Sequence, residues 1–233
     1  MPEKRAWSWV LAVIAVLAAV AALAWTAVAV AKNLREASRQ NQCMENLRLL
    51  GRACEMYQND WHGVLVPYGA PFAWSPNGIW PVLLDPYLKR MVGGASVRTN
   101  LAKIFKCPDD EGLECFCFRP SYGMNQRCGG WQPKGKPVVI SLKSVKFPSA
   151  TIRIAEVMWE AQAGSLFAAR PSDYRPHDPT SHMFATWHRG RGNVLWIDGH
   201  VCSMTLEQYN LRDKGPYDGN IWLRLEGPKP PRP

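Results

Sequence analysis

Residues 6–60 read AWSWVLAVIAVLAAVAALAWTAVAVAKNLREASRQNQCMENLRLLGRACEMYQND, and this stretch decides the architecture. Its first part, 6–31, holds no charged residue. At about 1.5 Å of rise per residue, a helix of that length exceeds the roughly 30 Å hydrocarbon core of a bilayer. Trp7, Trp9 and Trp25 stand near its ends, where amphipathic rings favour the membrane interface. A cleaved secretory signal has a shorter apolar centre, about 7–15 residues, so the stretch predicts a membrane-spanning helix. The second part is amphipathic. Leu34, Ala37, Met44, Leu47, Leu50, Cys54 and Tyr57 follow one another at steps of three, four or seven, one stripe on a helix. No proline interrupts residues 6–59, and Asn59, Gly63 and Pro67 supply the stop. One continuous helix is therefore expected, apolar all round in its first half and striped in its second. The stripe lacks sustained heptads, so its expected partner is a sheet of the same chain rather than a coiled coil.

The remaining composition narrows the class. The chain has 233 residues, with 28 Lys and Arg against 19 Asp and Glu, for a formal charge of +9. The positive residues are scattered and no nucleic-acid-binding motif accompanies them, which argues for a solvated basic surface and against a nucleic-acid partner. Lys32 and Arg35 lie where lipid headgroups would meet them. Basic residues flank both ends of the apolar segment, so the positive-inside rule does not set its orientation. All seven cysteines, Cys43, Cys54, Cys107, Cys115, Cys117, Cys128 and Cys202, follow that segment. That number suits an oxidising compartment and an exported C-terminal part.

Downstream of the helix, residues 79–91 read as a short helix punctuated by Pro81 and Pro86, and 105–112 as a turn. Two β-rich runs are expected at 138–145 and 151–158, either side of Pro148. Residues 193–197 and 200–204 predict a hairpin joined at Asp198-Gly199, a dipeptide that favours a turn with positive φ at both positions. The Pro-rich tail, 226–233, reads as extended or disordered. The expected organisation is a basic leader at 1–5, a transmembrane helix at 6–31, its amphipathic continuation at 32–63, an α+β ectodomain at 64–225, and the tail.

No catalytic constellation is legible, so the expectation is a protein that is not an enzyme. His177, His182, His188 and His200 gather with Asp173, Asp178 and Asp198 in one region, but none has the helical spacing of a zinc protease. No metal ligand set is assigned and no cofactor is expected, apart from a structural ion held by loop Asp oxygens. Cys107, Cys115, Cys117 and Cys128 lack the paired CxxC spacing of a zinc cluster, and disulfides are the simpler reading. His188 precedes Asp198-Gly199 by nine intervening residues. Its expected role is to hydrogen-bond backbone beside the hairpin.

Taken together, the apolar helix running into QNQCMENLRLLGRACEMYQNDWHGVLVP, then IWPVLLDPYL, FKCPDDE with SYGMNQ, FPSATIRIAEV, and His188 with Asp198-Gly199 form an ordered set. This order resembles the prepilin-like proteins of planctomycetes and related bacteria, the type II secretion pseudopilin-like group with the H-X9-DG motif, over roughly residues 40–205. The resemblance implies a pilin-like fold, with the second half of a long helix laid on a small antiparallel sheet. It implies a single-pass inner-membrane protein whose C-terminal domain lies outside the cytoplasm. The implied partners are membrane lipid and other pseudopilins or inner-membrane secretion proteins. It also suggests a disulfide between Cys43 and Cys107, and leader cleavage between Ala6 and Trp7. The N-terminus departs from the prepilin pattern: Ala6 stands in place of glycine and Leu11 in place of glutamate. Two forms are consistent with that departure, a minor pseudopilin at a filament tip and an uncleaved anchored protein whose ectodomain is a binding module for glycan or protein.

Overall fold

The computed structural model describes residues 3–67, 80–92, 102–110, 120–125, 139–158, 168–169 and 183–208. The chain divides into two compact units, 1–40 and 41–233. Helix α1, Glu3–Asp60, is continuous, as the sequence predicts. In the first unit its apolar side chains face outward: Leu11, Ile14, Leu17, Leu23, Trp25 and Val28 are all exposed. This is one helix long and apolar enough to cross a membrane, and the same length and composition describe a signal sequence.

Within the second unit, α1 is buried along Cys43, Leu47, Leu50, Ala53, Cys54 and Tyr57. The stripe thus begins at Cys43. The expected members Leu34 and Ala37 are exposed, because they lie in the first unit. The helix closes through His62, whose φ is +52°, and Gly63, whose N–H donates to Gln58 O at 2.7 Å. That six-to-one closure satisfies a carbonyl the helix leaves open.

Helix α2, Trp80–Val92, packs Trp80, Leu84, Tyr87 and Leu88 into the same core. The sequence reading has Pro86 interrupting this element, but the helix runs through it. Pro86 lies on the exposed side, where the packed face compensates for one lost hydrogen bond. Helix α3 is the single turn Ala102–Ile104.

The strands are β1, Tyr122–Asn125; β2, Ile152–Met158; β3, Ala168–Ala169; β4, Met183–Phe184; β5, Arg191–Trp196; and β6, Val201–Thr205. Four of them make an antiparallel sheet in the order β1-β2-β5-β6, with β3 added parallel to β1 and β4 beside β2. The layout is α+β. One face of the sheet, carrying Tyr122, Met124, Ile154 and Leu195, meets α1 and α2. The other face packs Ile152, Val157, Val194 and Trp196 with Phe184 and Met204. Each fully buried large apolar side chain contributes about 1.5–3 kcal/mol.

The expected strand over 138–145 is not one. Ser141 forms an isolated bridge with Val64, and residues Leu142–Ser144 turn as a 3-10 helix. Ser141 causes the break: its Oγ accepts from Lys143 N at 3.4 Å and its carbonyl accepts from Ser144 Oγ at 2.6 Å. Such local side-chain bonds compete with a ladder.

The hairpin between β5 and β6 is present, with a different turn. Gly199 has φ +91°, while Asp198 does not adopt positive φ. Gly199 N donates to Trp196 O at 3.1 Å and Trp196 N to His200 O at 3.0 Å, so the loop is longer than a two-residue turn.

Candidate functional site

Four elements converge beneath α1. The first buried turn of α1 brings Cys43, the segment after α3 brings Cys107, β2 brings Glu156, and the residue ahead of β5 is His188; all four are buried. Their sulfur, nitrogen and oxygen atoms all lie within 4.8 Å of one another. His188 Nε2 is 3.1 Å from Glu156 Oε1 and 3.5 Å from Cys107 Sγ. On the other side of the ring, Nδ1 lies 2.9 Å from Asp109 Oδ2, a contact too bent to be a hydrogen bond.

Each side chain is placed by local chemistry. Cys107 begins a Cys-Pro-Asp-Asp turn in which Asp110 N donates to Cys107 O at 3.0 Å. Ser121 Oγ accepts from Cys107 N at 2.9 Å and donates to Asp110 Oδ2 at 2.7 Å, tying the turn to the start of β1. His188 is held by a reciprocal backbone pair with Arg191, at 3.0 and 3.1 Å. The two residues between them, Arg189 and Gly190, have φ of +55° and +75°. This doubly positive pattern, expected at Asp198-Gly199, thus occurs at Arg189-Gly190. Glu156 is fully buried. It accepts Asn193 N at Oε2, 2.8 Å, and Asn193 Nδ2 at Oε1, 3.1 Å.

The charges are strongly coupled. A hydrogen bond from Cys43 stabilises the Cys107 thiolate; burial opposes it and the His188 contact assists it, and the Cys107 pKa falls to about 7. Cys43, which donates to Cys107 and is itself buried, is pushed far above the ordinary thiol value. Burial works to depress His188, but its hydrogen bonds to Cys107 and Glu156 outweigh that, and its pKa rises to about 10. Cys54, elsewhere in the core, is raised by burial.

A pH dependence follows for the reduced, metal-free chain. The raised His188 stabilises the fold fully below 6.5, and this is lost as pH climbs through about 10. The lowered Cys107 stabilises it above 9.0, and this is lost as pH falls through about 7. The two slopes oppose each other between about 7 and 9.0 and leave a plateau, followed by a decline towards 10. Melting in detergent across this range should show that shape, and His188→Asn should make the decline shallower; the part that remains comes from the buried Cys43 and Cys54 thiols, whose raised pKa values also cost stability as pH passes 9.0. An unchanged decline in the variant would rule out His188 as its source.

Cys107 beside His188 has the composition of an activated thiol. Yet Cys107 is 1% exposed and His188 4%, so a substrate does not reach the pair in this conformation. The four donors are instead the group among the described residues that can hold a metal ion.

The sequence-predicted residues divide between places. Cys43 and Cys107 are brought together, as thiols. His188 joins them through its ring, which contacts side chains rather than the backbone expected of it. Asp198 and Gly199 lie at the far end of β5. Asp198 Oδ1 accepts His200 N at 3.2 Å, and a Cβ on Gly199 would come within 3.0 Å of Glu55 Oε1 of α1. The His188-to-Gly199 motif therefore brackets β5, with a buried ring at its start and a glycine turn at its end. Ala6 and Trp7 lie in the first turns of α1. Cys115, Cys117, Cys128, Asp173, His177, Asp178 and His182 lie outside the described residues, as do Trp74, Trp131 and Trp159.

Sequence reasoning missed Glu156, Asp109 and Asn193. A carboxylate inside the apolar run IRIAEVM was the available signal for Glu156, since a charge there is buried only when partnered.

Searches found no matching family model, no matching curated protein and no matching solved structure.

Proposed function

We propose that the chain is a membrane-anchored, pseudopilin-like structural subunit, a minor component of a type II secretion or type IV pilus-like system. The observation that carries this reading is the division of labour along α1. Over the first unit its apolar side chains are exposed all round, and over the second it supplies the buried spine of a small antiparallel sheet domain. A helix with such a first half needs a hydrocarbon environment or an equivalent apolar neighbour. Both are met by a subunit that waits in the inner membrane and then packs into a filament. The motif order that resembles pseudopilins adds support, as does a seat for His188 and Gly199 at the two ends of one strand. The ectodomain lies outside the cytoplasm in this reading.

The rival is an uncleaved anchored binding module. The sequence offers Trp61, Trp74, Trp80, Trp131 and Trp159 as rings that would stack on a sugar; of the two described, Trp80 is fully buried in α2, while Trp61 is 55% exposed and stacked on Tyr57 at 5.6 Å. Among the described residues of the ectodomain that leaves one exposed tryptophan ring, a small platform. Processing at Ala6 separates the two readings: a pseudopilin extracted from its native membrane should begin at Trp7.

A further inference from the structure

We infer that Cys43, Cys107, His188 and Glu156 form a buried binding site for a thiolate-accepting divalent metal ion of the zinc class. The inference goes beyond the pseudopilin reading and does not depend on it.

Donor chemistry and geometry carry the inference. Two sulfurs, one imidazole nitrogen and one carboxylate oxygen are a complete tetrahedral set for zinc. With bonds of about 2.3 Å to sulfur and 2.0–2.2 Å to nitrogen and oxygen, neighbouring ligand atoms in such a site stand roughly 3.3–3.8 Å apart. Here Nε2 is 3.1 Å from Oε1 and 3.5 Å from the Cys107 sulfur, and the widest separation among the four is under 4.8 Å. Shifts of about an ångström would complete a tetrahedron.

The surroundings match a metal site as well. Asp109 Oδ2 stands 2.9 Å from His188 Nδ1, the nitrogen that has no hydrogen-bond partner. Metal at Nε2 would fix the Nδ1–H tautomer, and a small turn of the ring on binding would aim that proton at the Asp109 carboxylate, the usual outer arrangement of a zinc-bound histidine. The sulfurs are also served: Asp109 N donates to Cys107, and the Tyr122 hydroxyl donates to Cys43 while accepting Asn46 Nδ2 at 3.3 Å. Asn193 holds Glu156 through two donors.

A disulfide between Cys43 and Cys107 would use the sulfurs alone. It would leave Glu156 and His188 as a buried ion pair facing an apolar bridge. A metal uses all four groups. On uptake, two metal–sulfur bonds, one metal–nitrogen bond and one metal–oxygen bond form. The two S–H bonds break, and those protons leave to solvent together with any proton on Nε2.

The test uses the full chain in detergent, extracted from its native membrane: one portion is thiol-blocked at once to record any disulfide, and a second, unblocked portion is reduced, stripped with chelator and titrated anaerobically with Co²⁺. The expected result is uptake of one equivalent per chain with a thiolate-to-cobalt charge-transfer band that Zn²⁺ displaces. Cys107→Ser should lose the band and Cys202→Ser should keep it. Asp109→Asn should weaken binding about 10–100-fold. The wild-type titration decides even if the cysteine variant fails to fold. Absence of the band in the reduced wild-type chain would overturn the inference, and so would a Cys43–Cys107 disulfide in the natively extracted protein.

Discussion

Glu156→Leu should cost about 3–5 kcal/mol of stability, because it breaks a buried charged pair from one side. Glu156 is fully buried on β2 and accepts from Asn193 N, Asn193 Nδ2 and the His188 ring. Leucine matches its size and removes every acceptor. The Asn193 amide and side chain then lose their partner beneath α1, and His188 loses the carboxylate beside it. Glu156→Gln keeps one carbonyl oxygen and should lose only about 1–3 kcal/mol, the usual penalty for one unsatisfied buried group. Chemical denaturation of the reduced chain measures both. A leucine variant within about 0.5 kcal/mol of the parent, the range of an ordinary surface change, would mean that the carboxylate does not organise this region.

Gly192→Ala should be at least as damaging. Gly192 is in β5, and an added Cβ there would sit 2.0 Å from the Ala185 carbonyl oxygen and 2.6 Å from Phe184 Cζ. The carbonyl cannot retreat freely, since the N–H of the same residue, just past β4, is bonded to Glu156 O of β2 at 3.0 Å. Overpacking of this kind usually costs about 1–3 kcal/mol, and a collision with backbone lies at or above the top of that range. Gly51→Ala offers the contrast. Its Cβ would meet the Leu195 side chain, most closely Cδ1 at 3.0 Å, the movable end of that side chain. The expected result is loss of folded Gly192→Ala protein, seen as a collapsed melting transition, beside a Gly51→Ala variant that still melts cooperatively. Equal stability of the two would contradict the close approach of β5 to residues 184–185.

What could be read from the sequence follows from the range of the physics involved. The 3.6-residue period of α1 and the β-rich apolar runs of β2, β5 and β6 are local patterns, so helix, strand and hairpin are legible. The misplaced turn has a local cause. Asp198-Gly199 and Arg189-Gly190 are both X-Gly pairs beside strand residues, and only the bridge between His188 and Arg191 selects the second for doubly positive φ. The run over 138–145 looks like a strand by propensity, but Ser141 offers its backbone neighbours a closer partner than any strand does. The stripe on α1 starts at Cys43 because the sheet domain begins there, and periodicity alone does not reveal where a partner surface ends.

The cluster was legible in fragments. Cys43, Cys107 and His188 each stood out, two as thiols and one as a motif residue. Cys107 and His188 are 81 positions apart and His188 and Glu156 are 32 apart. Only the pairing of β2 with β1 and β5 under α1 brings them to one point. No spacing rule for metal ligands on a single helix or knuckle could have joined them.

The most direct test of the structural-subunit reading is the intact mass and N-terminal residue of the chain taken from its native membrane. An N-terminus at Trp7, with or without a methyl group, is the predicted result. It would mean that Ala6 is accepted where glycine is usual and that the chain is processed as a pseudopilin. An N-terminus upstream of Ala6 would contradict the account and make the chain a permanent anchor for its ectodomain.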